Sequence, residues 1–174
     1  MTPANFPLSL PKAEGPVFTL DQAALERGIA ASRESPRRRI IMPVHRSGTE
    51  GVQRMLNFMQ RGSYARPHCH PNPENIETAI PLRGVFGFVV FHADGQIHSA
   101  HLLEAGNPGS CLIDIEPYLW HTVVPLAEDS VLLEIKRGPY NAATDKQFAE
   151  WAPQEGAPEA PEFLRSLEAI FDRS

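Results

Sequence analysis

Between residues 39 and 136 the chain breaks into short apolar or β-branched runs: 39–45, 52–59, 63–70, 76–81, 84–92, 97–103, 111–115, 121–124 and 130–136. Turn signals separate many of them, among them Ser47-Gly48, Arg61-Gly62, Asp94-Gly95, Asn107-Pro108-Gly109 and Glu128-Asp129. Short runs at roughly ten-residue spacing suit the strands of one sandwich or barrel. Proline points the same way. It supplies 17 of 174 residues, about twice the usual ~5%. Proline is excluded from helix interiors and central strands, so a helix bundle is disfavoured. No internal repeat suggests a solenoid.

The flanks read differently. Pro3, Pro7, Pro11 and Pro16 make residues 1–18 an extended or disordered arm. Residues 19–33 carry Leu20, Ala24, Leu25 and Ile29 on one helical face, with Thr19 or Asp21 as the cap and Ser35-Pro36 as the stop. This helix and a leading strand occupy 19–50, and the barrel spans 51–140. A helical extension covers 141–174: a short helix capped by Thr144 with Phe148 and Trp151, then an amphipathic helix at 161–172 bearing Phe163, Leu164, Leu167, Ile170 and Phe171. Arg37-Arg38-Arg39 reads first as a solvated turn, with an anion site as the competing reading.

Composition bounds the function. Apolar residues are 42%, charged residues 21%, and the net charge is -5, as in a folded globular chain. A nucleic-acid binder would carry a basic stripe. No apolar run approaches the ~20 residues of a membrane span, and the N-terminus lacks the basic start and apolar stretch of a signal peptide. Cys69 and Cys111 are too few for a disulfide framework. The expected compartment is the cytoplasm.

The chemistry lies in the histidines. Of seven, His68 and His70 are two residues apart, and alternate strand residues share a face. They are therefore placed to share a metal, with Cys69 turned away. The same alternation puts Tyr64 and Arg66 on that face. Glu74 or Glu77 supplies a carboxylate and His121, after Pro117, a third imidazole. Such a set binds Fe(II), Mn or similar ions. Glu77 is preferred because it leads into a strand, whereas Glu74 sits in a proline-bounded turn. His98 and His101 fall on opposite strand faces and make no second pair. His45 receives no role from local spacing. Six prolines, Pro67, Pro71, Pro73, Pro81, Pro117 and Pro125, flank the proposed ligands and suggest a rigid rim.

Gly62, His68, His70, Glu77 and Gly84 resemble the first motif of the cupin superfamily, with a lengthened loop before the glutamate. Pro117 and His121 keep the spacing of the second motif, although Leu119 replaces its glycine and Pro125 its asparagine. Further segments resemble the WbuC-type cupin-fold metalloproteins: Arg37 to Arg39, His45, Val52 to Met55, Tyr64 to Pro71, Glu134 to Tyr140 and Phe148 to Pro153. The resemblance implies a mainly β, single-domain double-stranded β-helix, or jelly-roll barrel, with an N-terminal helix and one or two C-terminal helices. It implies one divalent transition metal, Fe, Mn, Ni or Zn, held by His68, His70, Glu77 and His121. It also implies a link to surface-polysaccharide metabolism and, by analogy with other cupins, a homodimer.

Three functions follow. The first is an isomerase, epimerase or oxidoreductase acting on a small oxygen-rich or anionic molecule such as a sugar or sugar nucleotide. There Arg66 holds an anionic group, Tyr64 donates a proton or hydrogen bond, and Glu134 serves as base or as a partner to a metal histidine. Gln53 joins them if its strand face is inward. The second is a non-enzymatic module that binds or senses a small ligand. The third is a metal-dependent dioxygenase, which the glutamate disfavours because thiol-dioxygenase cupins lack it.

Overall fold

The computed structural model describes residues 6–172. Two five-stranded sheets face one another, and every strand pairing within them is antiparallel. The first contains β1 (Arg39–Pro43), β2 (Val52–Met59), β4 (Glu77–Arg83), β7 (Ile113–Ile115) and β9 (Ser130–Arg137), in the order β1-β2-β9-β4-β7. The second contains β3 (His68–Cys69), β5 (Val85–Phe91), β6 (Ile97–Glu104), β8 (Trp120–Pro125) and β10 (Gln147–Phe148), in the order β10-β3-β8-β5-β6. Helices α1 (Gln22–Glu34) and α2 (Ala160–Glu168) cover the outer faces. This is the expected jelly roll.

Strand β5 is covered on both faces, which explains why it reads as an unbroken apolar run. Phe86 and Phe88 point between the sheets, packing with Met59, Ala79, Leu103, Ile115 and Leu132. Val89 and Phe91 point outward beneath Leu164 and Leu167 of α2. On the opposite side Ile29 of α1 packs over Ile40, Leu56, Phe58 and Val131. Asp21, rather than Thr19, caps α1, its carboxylate accepting from the Ala24 amide at 2.8 Å.

The extended N-terminal arm is not loose where it is described. Ser9 bridges Ile41, Leu10 N–H donates to the Ile41 carbonyl at 2.8 Å, and Ala13 N–H donates to Pro43 at 2.8 Å. Phe6, Leu10 and Phe18 pack beside the α1 cluster. Pro3 and the rest of the first five residues lie outside the described residues.

Two expectations need correction. The run 63–70 is a strand only at His68–Cys69. The turn at Gly62 (φ +84) and Pro67, which has no N–H to donate, leave 63–67 irregular. The helix expected from Thr144 to Trp151 does not form. Gln147–Phe148 instead pairs with Cys69 and His68 as β10, because a long-range edge pairing outcompetes a weak local helical pattern. Only the second tail helix, at Ala160–Glu168, is present among the described residues. No helix is long and apolar enough to cross a membrane among those residues.

The interior changes character along its length. Inward residues of β9 run Leu132, Glu134, Lys136, and those of β2 run Met59, Asn57, Met55, Gln53. One end of the barrel is therefore plugged by aromatic and aliphatic packing. The other opens as a cavity of about 730 Å³ lined by both polar and apolar side chains, within the ~300–1,000 Å³ of small-ligand sites.

Candidate metal centre

Four buried side chains converge at that cavity, three of them, His68, Glu77 and His121, on its wall. His68 comes from β3, His70 from the residue just past it, Glu77 from the first position of β4 and His121 from β8. Strand register sets the arrangement, since His68 lies directly opposite His121. The Pro117 turn ties the segments together, for Tyr118 N–H donates to the His70 carbonyl at 3.0 Å. Tyr118 adopts φ 67 to do so, a left-handed conformation uncommon outside glycine. One ligand atom from each of the four lies within 4.8 Å of the others. A metal–ligand distance of ~2.1 Å puts opposite ligand atoms at most ~4.2 Å apart, so one ion is held once the widest pairs of this set close in by about half an ångström.

Hydrogen bonding fixes which nitrogens face the centre. The Nδ1 atoms of His68, His70 and His121 lie against the backbone carbonyls of Arg66, Asp145 and Leu119. Nδ1–H donation to a carbonyl leaves the Nε2 lone pair free. His68 Nε2 and His121 Nε2 are buried with no hydrogen-bond partner, while His70 Nε2 sits 2.8 Å from the Glu77 carboxylate. Two imidazole lone pairs buried without a partner cost free energy unless a cation meets them. The donor set, three imidazoles and one carboxylate, therefore fits a divalent transition ion.

Electrostatics prepares the same state. Burial, with help from Lys146 and the neighbouring rings, holds His68 well below the usual imidazole value. Burial likewise lowers His121. Both are neutral at pH 7, as ligands must be. For Glu77, burial pushes upward, but the His70 hydrogen bond and the surrounding positive potential outweigh it and leave the carboxyl ionised.

Behind the ligands lies a polar shell. Lys136 is buried and bridges both Asp145 carboxylate oxygens at 2.8 and 2.7 Å, with Glu134 at 4.0 Å. Asn57 donates to one Glu134 oxygen at 3.1 Å. The other Glu134 oxygen is buried and unpartnered. Burial, then the charge of Glu77, raises the Glu134 pKa. Glu134 and Lys136 thus point inward and do not form a surface ion-pair network. Gln53 also faces the cavity, but its amide donates to the Gly48 and Glu50 carbonyls at 3.2 and 2.8 Å.

Other sequence candidates fall elsewhere. Tyr64 does not line the cavity. The irregular backbone at 63–67 turns it under α2, where it packs with Phe163 and donates to the Pro153 carbonyl at 2.8 Å. Desolvation pushes its pKa to about 12. Arg66 does line the cavity, but Nε and one terminal nitrogen donate to the Ala149 carbonyl at 3.1 and 2.6 Å, and the guanidinium lies over Phe148. Glu74 is exposed and pairs with Arg137, so Glu77 is the carboxylate at the centre. Cys69 is buried and His98 and His101 lie on exposed positions of β6. Pro81 and Pro125 are four residues along their strands from Glu77 and His121, or about 13 Å at ~3.3 Å per residue. They are no part of the rim. Sequence reasoning missed Asp145, Lys146, Phe148 as a cavity residue, and His45. His45 and Phe148 gave a signal, both through segments of the family resemblance.

Comparison with known proteins follows from this geometry. The profile of a domain of unknown function (DUF6016) matches residues 20–103, just under half of the chain. No curated protein matches the sequence. The structure of CapF with the inhibitor 3-isopropenyl-tropolone aligns with a TM-score of 0.52 at 15% identity, over 63% of this chain and 31% of that one. KdgF from Halomonas sp. aligns with a TM-score of 0.47 at 15% identity, over 60% of this chain and 82% of that one. The oxalate decarboxylase formate complex from Lactobacillus farciminis gives 0.46 at 16% identity, over 68% and 35%. Likeness at these identities concerns fold alone. The barrel has the cupin fold.

Proposed function

We propose that the chain is a metal-dependent cupin of the WbuC type that acts on a small, oxygen-rich, anionic molecule, with His68, His70, Glu77 and His121 as the metal ligands. One observation carries the reading: two buried Nε2 lone pairs without partners, converging on one point with the hydrogen-bonded His70–Glu77 pair. The WbuC assignment is supported by the Tyr64 to Pro71, Glu134 to Tyr140 and Phe148 to Pro153 segments. Mn, Fe, Ni and Zn all suit the donor set. A bound ion supplies Lewis acidity toward a carbonyl or hydroxyl oxygen.

The chain's own residues supply the rest. Glu134, inward and with one oxygen unpartnered, holds or takes up a proton beside the bound molecule. Asn57 orients that carboxyl, and Lys136 keeps positive charge beside it. Phe88, Val123 and Leu132 close the apolar end and exclude water. A carboxyl placed to take up or return a proton at a carbon of the bound molecule suits an isomerase or epimerase, which we favour over oxygen chemistry.

The test begins with elemental analysis of purified protein, before and after reconstitution. About one first-row ion per chain is expected, lost in His68→Ala and Glu77→Ala but kept in Glu74→Ala. Turnover is then sought with panels of sugar phosphates and nucleotide sugars. Glu134→Gln should keep its metal and lose turnover. Protein that takes up no first-row metal overturns the reading. Metal retained with ligand-dependent thermal shifts and no turnover would favour a binding module instead.

A further inference from the structure

The three consecutive arginines do not form a solvated turn as a unit. Arg38 adopts φ 54 and sends its guanidinium outward, to the Arg61 carbonyl at 2.7 Å and Glu128 at 3.0 Å. Arg37 and Arg39 both line the cavity instead. Arg39 is fully engaged, with Glu155 at 2.6 Å, the Tyr64 carbonyl at 2.8 Å and Ser63 Oγ at 3.3 Å.

Arg37 is not engaged in this way. Its guanidinium makes one long contact, to the Leu8 carbonyl at 3.4 Å. No carboxylate lies within 4.0 Å of it among the described residues. A guanidinium carries five N–H donors in a fork that matches carboxylate and phosphate oxygens. Four of those donors have no protein partner among the described residues. The backbone beneath is nevertheless held from both sides: Arg37 N–H donates to Ser35 Oγ at 3.3 Å, and its carbonyl accepts from Ser63 Oγ at 2.8 Å. Burial and the like charge of Arg39 act against the cation here, and Glu155, already paired with Arg39, offsets them only in part. An arginine that is positioned, partly desolvated and left without a counter-charge is suited to receive one from a ligand.

The surrounding charge agrees. Glu155 neutralises Arg39 and Asp145 neutralises Lys136. Lys146 adds a second ammonium on the wall without an ion-pair partner among the described residues. With Arg66, the lining carries five cationic side chains against four carboxylates, Glu77, Glu134, Asp145 and Glu155, a local excess of one positive charge within a protein whose net charge is -5. Arg66, the sequence's candidate for this task, is spent on the Ala149 carbonyl.

We infer that Arg37 is a specificity-determining residue, whose guanidinium receives a carboxylate or phosphate group of a small molecule occupying the cavity. The inference deepens the metal-dependent reading and rests on it for the placement of the molecule's other end at the His68 cluster.

Calorimetric titration of the metal-loaded full chain with inorganic phosphate, and separately with succinate, tests it. The stronger probe identifies the oxyanion. Arg37→Ala should weaken that probe ten- to a hundredfold, in line with a charge-assisted contact. Arg37→Lys should fall between, and Arg38→Ala should match the wild type. Metal content should be unchanged in all three. Equal binding by Arg37→Ala, an equal loss in Arg38→Ala, or no binding of either probe by the wild type overturns the inference. Any of these with normal metal content leaves the metal reading intact. Arg37-dependent binding to protein that takes up no metal would sink that reading and keep this subsite.

Discussion

Lys136 offers the most informative perturbation. Its ammonium is almost wholly buried, makes two contacts to Asp145 at 2.8 and 2.7 Å, and has Glu134 4.0 Å away. Burial pulls its pKa down, but the charges of Glu134 and Asp145 more than compensate, and the net direction is up. Its stabilising effect is therefore present throughout neutral pH and is lost only as pH rises through that raised value. Lys136→Met fits the same volume but strands the Asp145 carboxylate, itself buried, beside Glu134. Breaking a buried pair on one side costs about 3–5 kcal/mol. For a chain of this size that is roughly 6–20 °C of melting temperature. A double variant, Lys136→Met with Asp145→Leu, removes both charges. It should recover most of the loss, because a buried ion pair is seldom better than well-packed apolar groups. Urea denaturation of the wild type, both single variants and the double variant at pH 7 gives the coupling directly. A single Lys136→Met variant within 1 kcal/mol of wild type would refute the argument. So would a double variant no more stable than either single one.

Two further outcomes are expected. Gly28 lies in α1, where alanine ordinarily helps by ~1 kcal/mol, but an added Cβ would meet the Phe58 ring at 2.3 Å. Gly28→Ala should therefore destabilise by about 1–3 kcal/mol, read by thermal melting, and a more stable variant would show that the α1 packing is wrong. Asp129 is held below the ordinary carboxylate range by hydrogen bonds from Arg33 and Gln60. A depressed pKa means stability that is present above the unfolded value of ~3.9 and lost below it. Asp129→Asn should thus be less stable than wild type at pH 7, and the gap should close below about pH 4; a gap independent of pH would remove the charge from the explanation.

The centre was legible because its signals are local. His68 and His70 are two apart, Glu77 opens a strand, and His121 follows a proline-led turn. Strand β2 at Val52–Met59 coincides with the expected run because Ser47-Gly48 and Arg61-Gly62 bracket it. What the sequence hid is what depends on distant pairing. Alternation carried Tyr64 into the cavity only if the strand ran unbroken to residue 63, and Pro67 stops it. Phe148 looks helical beside Trp151, yet it pairs with His68 across 80 residues of chain. Lys136 and Asp145 are nine residues apart, on a strand and a loop whose meeting no periodicity records. In the arginine triplet, the positive φ at Arg38 decides which side chains face inward, and arginine itself gives no hint of it.

The pairing of β10 with β3 also sets an order of events during synthesis. The four ligands all lie between residues 68 and 121, but the carbonyl that orients His70 belongs to Asp145, and Phe148 closes the sheet edge over His68. Strand β9, which joins β2 to β4, emerges later than both. Contacts of such long sequence separation form slowly. The ligands therefore leave the ribosome well before the scaffold that aims them exists. On the metal-binding reading, an ion would meet a fully oriented His70 only after residues 145–148 have docked, because the carbonyl that holds its Nδ1 comes from Asp145.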